Sequence, residues 1–112
     1  MSFPKSIELI AAERQRQIEV EGFVGEHDLE NDDGELALAA CYYAMPDFHY
    51  IKHEGISFFL YPEVFCPSEL EHKWAKRDSK TRIRRLAVAG ALIAAEIDRL
   101  LSVGNASGEN HD

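Results

Sequence analysis

The sequence predicts an all-α fold: a helical bundle with two central apolar helices and an irregular insertion, completed by oligomerisation. Three stretches, at residues 7–20, 33–45 and 80–101, have the length and apolar spacing of α-helices. The second and third are apolar on almost every side, so each should be surrounded by other helices. Because the chain has only one other clear helix, we expect a second copy to supply the missing cover, in a homodimer or higher homo-oligomer.

The first helix combines an apolar stripe, capped by Ser6 and ended by Gly22, with a line of polar side chains. Glu13, Gln17 and Glu21 are spaced four residues apart, so they lie above one another on one side of the helix. Two interpretations fit this line and its neighbour, Arg14, which lies on the apolar side. It is either a solvated edge with local Glu–Arg ion pairs, or one wall of a polar cleft inside a bundle.

Acidic residues are concentrated just before the second helix. They are Glu26, Asp28, Glu30, Asp32, Asp33 and Glu35, with His27 among them. Carboxylate oxygens are the ligands that Mg²⁺ prefers, so this stretch is a candidate metal site. The alternative is structural, because Asp32 and Glu35 have the spacing of a capping box and acidic side chains stabilise the positive end of a helix. Glu35 is the stronger metal candidate, since the apolar residues that follow it would hold its carboxylate near the core.

Residues 47–77 are predicted to be an irregular insertion or lid, because no helical period runs through them. Within this insertion, residues 56–61 are an apolar run that forms either a strand or a packed loop, and a capping box ahead of Trp74 begins a short helix. Lys73, Trp74 and Arg77 form a basic and aromatic cluster that can stack on a base and bind a phosphate. Alternatively, the aromatic side chains of the insertion fill the bundle.

The last helix should be capped by Asp78 or Ser79, and its apolar stripe runs through residues 83–101. Glu96 and Asp98 lie on opposite margins of that stripe. Glu96 can form an ion pair with a neighbouring arginine, or it can join the carboxylates of the first and second helices. The polar, glycine-containing residues 104–112 are predicted to be a disordered tail after a single domain at 1–103.

The composition excludes several classes of protein. The net charge of -8 argues against nucleic acid as a partner, because proteins that bind its backbone usually carry a basic face. Cys41 and Cys66 have neither zinc nor redox spacing. The chain starts with no signal-peptide pattern and has no apolar run of about 20 residues, so we expect a cytoplasmic protein without a membrane partner.

Several segments together resemble a group of small proteins found in bacteriophages and prophages. These segments are residues 12–23, the Glu-His-Asp at 26–28, the Gly-Glu-Leu-Ala-Leu-Ala-Ala at 34–40, the Tyr-Ala at 43–44 and the last helix at 89–100. The group is similar in helix layout, and in the Gly-Glu-Leu-Ala start of a central helix, to the MazG-like, all-α nucleoside triphosphate pyrophosphohydrolases. The resemblance covers about half of the chain and implies a cytoplasmic protein of the bacterial host.

The resemblance to MazG-like enzymes implies a specific reaction. Such enzymes are helical dimers or tetramers that hold Mg²⁺ with a Glu-x-x-Glu on one helix and a Glu-x-x-Asp on another. Water then cleaves a nucleoside triphosphate between its α and β phosphates, which releases a monophosphate and pyrophosphate. This chain has Asp32-x-x-Glu35 where Glu-x-x-Glu is expected, and Arg99 stands three residues after Glu96, where the pattern has Asp.

An enzyme of this kind would use the polar residues in three roles, with Mn²⁺ as a substitute for Mg²⁺. The metal ligands would be Glu13, Asp28, Asp32, Glu35 and Glu96. The residues that orient or deprotonate water would be Gln17, Glu21 and His27. The nucleotide would be bound by Arg14, Tyr43, Lys73, Trp74 and Arg77.

Two other functions fit the same residues. A non-catalytic phage accessory protein could use the same cleft to bind a nucleotide or a host protein, and it would need no complete set of metal ligands. A purely structural module would use its acidic residues as helix caps and solubilising charge. Burial separates these possibilities. Convergence of Glu13, Glu35 and Glu96 in one pocket would exclude the structural module, whereas separate positions facing solvent would exclude the enzyme.

Overall fold

The computed structural model of this chain describes residues 3–21, 34–65 and 75–107. These residues form three α-helices and one two-stranded antiparallel sheet, with short 3₁₀ turns at Pro62–Phe65 and Ala75–Ser79. The helices are α1 (Lys5–Arg16, continued by a π-helical turn at Gln17–Glu21), α2 (Glu35–Ala44) and α3 (Arg82–Ser107), and the strands are β1 (His49–His53) and β2 (Ile56–Leu60). The helical prediction is confirmed, but the fold is not purely α-helical.

The hydrophobic core lies between α2 and α3. Its buried residues are Leu36, Ala39, Ala40, Tyr42, Tyr43, Val88, Ala89, Leu92 and Ala95. The alanines let the two helix backbones approach closely, while Leu36 and Leu92 fill the remaining space and are almost completely buried. Each such leucine contributes about 2 kcal/mol through removal of its apolar surface from water.

α1 packs on α3 where a glycine provides room. A Cβ atom at Gly90 would lie 2.8 Å from the side chain of Ile10, so only glycine permits this approach. α1 begins at Lys5 after Pro4, whose carbonyl accepts hydrogen bonds from the amides of the first turn. Ser6 is therefore inside the helix, and the prediction that it caps α1 is wrong. Proline suits this position because its fixed φ matches the start of a helix.

Arginine side chains from the start of α3 and the turn before it cap the C-terminus of α2. Arg77 donates from Nε to the Tyr42 carbonyl at 2.7 Å and from Nη2 to the Met45 carbonyl at 2.7 Å. Arg82 donates to the Met45 and Ala44 carbonyls at 2.8 and 2.5 Å. The last carbonyls of a helix have no partner within it and carry partial negative charge, so these cations satisfy them, and the Met45 carbonyl accepts from both arginines.

Residues 49–60 form a β-hairpin where the sequence predicts an irregular insertion. Tyr50 pairs with Phe59, and the strands meet at Glu54 and Gly55, which both have positive φ values, 50° and 80°. Two consecutive residues of this kind make the turn that matches the twist of a hairpin. Of the two alternatives for residues 56–61, the strand is confirmed. The predicted short helix ahead of Trp74 lies outside the described residues.

α3 differs from its prediction at both ends. Thr81 caps it, because its Oγ1 accepts a hydrogen bond from the Arg84 amide at 3.2 Å, whereas Asp78 and Ser79 belong to the preceding 3₁₀ turn. The helix continues to Ser107, so residues 104–107 are helical and the prediction of a disordered tail is wrong for them. None of the described helices combines the length and the apolar character needed to cross a membrane.

Candidate functional site

Glu13 and Gln17, two members of the polar line of α1, point into the protein. Glu13 and Gln17 are each only 1% exposed, and Arg14 is also buried. A solvated edge would leave these side chains in water, so that interpretation is wrong for Glu13 and Gln17. Burial of a charged or amide side chain costs free energy unless it is paired or hydrogen-bonded. The partners of these three residues therefore show what the site can do.

Two arginines hold the carboxylate of Glu13. Arg16, one turn along α1, donates from Nη2 to Oε1 at 2.8 Å and from Nε to both oxygens. Arg84 of α3 contacts Oε2 from the other side at 2.6 Å. The Glu13 side chain is fully buried, whereas the side chains of Arg16 and Arg84 are 37% and 43% exposed. The carboxylate thus anchors two guanidinium groups that extend toward solvent.

A second ion pair joins α1 to α3. Arg14 donates from Nε and Nη2 to Oδ2 of Asp98, at 3.0 and 2.8 Å. The predicted metal ligand Glu96 instead accepts a hydrogen bond from Nε of Arg99, one turn later on α3, at 2.5 Å. Of the two possibilities for Glu96, the structure thus contains the ion pair with a neighbouring arginine.

Gln17 carries a buried oxygen without a hydrogen bond. Among the described residues, no donor reaches its side-chain Oε1. Leaving such an acceptor unsatisfied costs about 1–3 kcal/mol, so each case requires a reason. Gln17 also begins the π-helical turn, and single π turns inside α-helices are frequent at functional sites. A water, a metal-bound water or a donor group of a ligand would satisfy this oxygen.

The other predicted site residues lie in different surroundings. Tyr43 is buried in the α2–α3 core with its ring edge-on to Tyr42, at 5.6 Å between centroids. Arg77 is buried and bonded to α2 carbonyls, as described above. Glu35 is half-buried at the first residue of α2, after Gly34. Glu21 is the last residue of the π-helical turn.

Part of the predicted site lies outside the described residues, namely His27, Asp28, Asp32, Lys73 and Trp74. Within residues 3–21, 34–65 and 75–107, no three His, Cys, Asp or Glu side chains are grouped as a metal site would require. The acidic residues at 26–33 lie outside these ranges, so a Mg²⁺ site that includes them stays a prediction.

Sequence reasoning missed Arg84 as a partner of Glu13 and Arg82 as a cap of α2. A signal for both was present in the sequence. Arg82, Arg84 and Arg85 stand in the first turn of α3, where the positive end of the helix disfavours cations. Basic residues in that position indicate that their charges are satisfied by other parts of the fold.

Comparison of the chain with protein-family models, with curated proteins and with solved structures gave no match. The resemblance to the phage group and to MazG-like enzymes therefore rests on the sequence motifs alone. The geometry adds two features to those motifs. One is the buried amide oxygen of Gln17, which no donor among the described residues reaches. The other is the pair Arg16 and Arg84, which the Glu13 carboxylate holds.

Proposed function

We propose that this chain is a MazG-like, magnesium-dependent nucleoside triphosphate pyrophosphohydrolase of phage origin, acting as a homo-oligomer in the cytoplasm of the bacterial host. It would cleave an NTP or dNTP to the monophosphate and pyrophosphate. The observation that carries the proposal is the buried Gln17 Oε1, which has no donor among the described residues. An oxygen in that state is suited to accept a hydrogen bond from the water that attacks a phosphate.

The arginines around Glu13 support a phosphate ligand. The buried Glu13 carboxylate bonds Arg16 and Arg84 and so fixes both guanidinium planes before a ligand binds. These two side chains therefore lose little further rotamer freedom when the ligand binds. Arg84, whose side chain is 43% exposed, can then meet the oxygens of a triphosphate, for which arginine has the matching geometry. In this arrangement Glu13 positions the arginines and is not itself a metal ligand.

Mg²⁺ would neutralise part of the phosphate charge and would usually keep several of its bound waters. Glu35, at the start of α2, and Asp28 and Asp32, in the acidic stretch, are the carboxylates that would hold it. The residues of this chain have complementary tasks: Gln17 orients a water, and Arg84 binds phosphate oxygens. Glu21 remains a candidate for the base that accepts a proton from that water.

An apolar stripe on α3 supports the homo-oligomer. Its exposed residues are Ile83, Leu86, Ile93, Ile97 and Leu100. They are spaced three, seven, four and three residues apart and so lie along one side of the helix. A second copy that covered this stripe would complete the cover that the apolar pattern of α3 requires.

The first test is release of pyrophosphate from each common NTP and dNTP with Mg²⁺ or Mn²⁺. We expect Glu35→Gln to lower the rate by about 100-fold or more through loss of a metal ligand, and Gln17→Leu by about 10- to 100-fold through loss of water positioning. Gln17→Leu should leave the free energy of unfolding unchanged or higher, because it removes an unsatisfied oxygen. The control is Glu19→Gln, an exposed residue of α1's extension that bonds only Gln15 among the described contacts. A folded wild-type chain that releases no pyrophosphate from any of these nucleotides would refute the proposal.

A second candidate is the non-catalytic accessory protein that binds a nucleotide or a host protein. One observation favours it: both Glu13 and Glu96 are ion-paired with arginines, which would compete with a metal for their oxygens. Calorimetric titration separates the two functions. Nucleotide binding that is unchanged when EDTA removes divalent cations, with no turnover, identifies the binder, whereas metal-dependent turnover identifies the enzyme.

A further inference from the structure

A cavity of about 350 Å³ lies between the C-terminal end of α2 and the hairpin. Three of the residues that line it, Cys41, Met45 and His49, have a side-chain sulfur or nitrogen atom that can bind a metal ion. The side chains of the other lining residues are apolar, namely Ala44, Pro46, Leu60 and Phe65. The cavity therefore brings three potential metal ligands to one place, among side chains that offer no competing ligand.

The fold fixes the positions of these three residues along the chain. Cys41 and Met45 are one turn apart at the end of α2, where the Met45 amide donates to the Cys41 carbonyl at 3.1 Å. His49 is the first residue of β1. The short connection between Met45 and His49 is held by Arg77, which donates to the Met45 carbonyl and to the Asp47 carboxylate. A helix end, a strand start and one buried arginine thus hold the three residues around the cavity.

An ion can reach the three side chains from solvent. Cys41 is a free, exposed cysteine, His49 is also exposed, and Met45 is half-buried. Free cysteine is among the most buried residue types, because it usually serves as a small apolar side chain in a core. Cys41 is not part of the α2–α3 core, so packing does not account for a cysteine at this position.

The types of ligand atom select a soft ion with a single positive charge. Thiolate and thioether sulfur favour Cu(I), whereas Mg²⁺ takes oxygen ligands and structural Zn²⁺ sites are built from cysteine and histidine without methionine. Charge favours the same ion. The thiolate of Cys41 and Cu(I) sum to zero, whereas Zn²⁺ would leave a net positive charge beside apolar side chains, which costs free energy.

We propose that Cys41, Met45 and His49 together bind one Cu(I) ion at the end of α2. On binding, the Cys41 Sγ–H bond breaks, its proton passes to solvent and Sγ bonds to copper. The Met45 thioether and one imidazole nitrogen of His49 each donate a lone pair, and the oxidation state of the copper does not change. This site shares no residue with the proposed Mg²⁺ site and does not depend on pyrophosphohydrolase activity.

The test is titration of the full chain with Cu(I), kept reduced by ascorbate without oxygen, in competition with a chromophoric Cu(I) chelator. We expect the wild-type chain to take one Cu(I) from the chelator and Cys41→Ser to take none. Met45→Leu, which keeps the side-chain volume, and His49→Gln should each weaken binding by about tenfold or more. Cu(I) should also raise the Tm of the wild-type chain and leave that of Cys41→Ser unchanged, because only a chain that binds the ion is stabilised by it.

Two matched controls should keep the affinity and stoichiometry of the wild-type chain. Cys66→Ser removes the other cysteine, and His53→Gln removes the histidine at the far end of β1, whose side chain is 79% exposed. Far-UV circular dichroism verifies that each variant is folded.

Three outcomes would overturn the proposal. One is a wild-type chain that takes no Cu(I) from the chelator. Another is loss of binding in Cys66→Ser, which would assign the ion to a different thiol. The third is unchanged affinity in folded Cys41→Ser, or in both Met45→Leu and His49→Gln. Pyrophosphate release, measured without copper, reports separately on the proposed enzyme activity.

Discussion

The contacts that α3 makes with α1 and with α2 differ in chemistry. Its contact with α2 is apolar and filled by alanine, leucine and tyrosine, with arginines confined to the helix end. Its contact with α1 combines apolar side chains, including a close approach of Ile10 to Gly90, with ion pairs of Glu13 and Arg14. The comparison teaches that α2 and α3 form the stable unit, whereas α1 is held by charged groups that a ligand or a change of conditions can rearrange.

The largest effect is expected from a cavity in the α2–α3 contact. Leu92→Ala should lower the free energy of unfolding by about 2–5 kcal/mol, because Leu92 is completely buried among alanines that have little freedom to close the gap. Urea unfolding followed by circular dichroism measures the loss. Ile97→Ala, on the exposed stripe of the same helix, is the control, measured at a protein concentration where the chain is monomeric. Equal losses for the two variants would mean that the core lies elsewhere.

The next largest effect is expected at the arginine cap of α2. Arg77→Ala should cost about 2–3 kcal/mol, because it leaves the Tyr42 and Met45 carbonyls without this donor and removes a buried side chain. Arg77→Lys should recover only part of the loss, since one ammonium group does not reproduce the planar fork. Urea unfolding of all three proteins tests this. Full recovery by lysine would show that charge alone stabilises the helix end.

The α1–α3 contact should respond more weakly and unequally. Glu13→Gln is expected to cost about 2 kcal/mol, because the Glu13 side chain is fully buried between two guanidiniums. Asp98→Asn should cost less than about 1 kcal/mol, since the Asp98 side chain is 47% exposed and its pairing is screened by water. Hydrogen exchange of α1 amides, with and without added salt, would locate the effect. A larger loss for Asp98→Asn would reverse this order of importance.

The smallest effect is a pH dependence at Asp47. A hydrogen bond from Arg77, followed by the charge of Arg85, lowers the pKa of the Asp47 carboxyl from its ordinary value of 3.8. Because the pKa is lower in the folded state, the stabilisation is present above pH 3.8 and disappears as the pH falls through the lowered value. Asp47→Asn should therefore be less stable than wild type at pH 6, and the difference should vanish in strong acid. A difference that persisted in strong acid would show that hydrogen-bond geometry, not charge, is responsible.

The helices and the local Glu–Arg pairs could be predicted from the sequence, whereas the hairpin and the ion pairs between α1 and α3 could not. Apolar residues at helical spacing predict α2 and α3, and residues of this pattern form the core of the structure. The hairpin gives no alternating pattern, because aromatic or aliphatic residues occupy both faces of β2, as Phe58 and Phe59 show. A strand that is apolar on both sides has no period that distinguishes it from a packed loop.

The site was predictable only in part, for a different reason. Spacing on α1 correctly placed Glu13 and Gln17 on one side of the helix. It did not determine whether that side was buried, or that Arg84 of a distant helix would reach the carboxylate of Glu13. Such a contact depends on how closely two helices approach and on how far a side chain reaches between them. The spacing of residues within one helix predicts neither.

The arginine cap of α2 has a further consequence for how this chain can change. Arg77 and Arg82 bind the carbonyls at the end of α2, so the chain leaves the helical unit at Met45 and rejoins it at almost the same point. Phe65, within the segment between them, also packs against the α2–α3 core, so the segment is held at its ends and at this point. The strands of the hairpin are mostly exposed, so we expect their residues to tolerate exchange while the helices keep their packing.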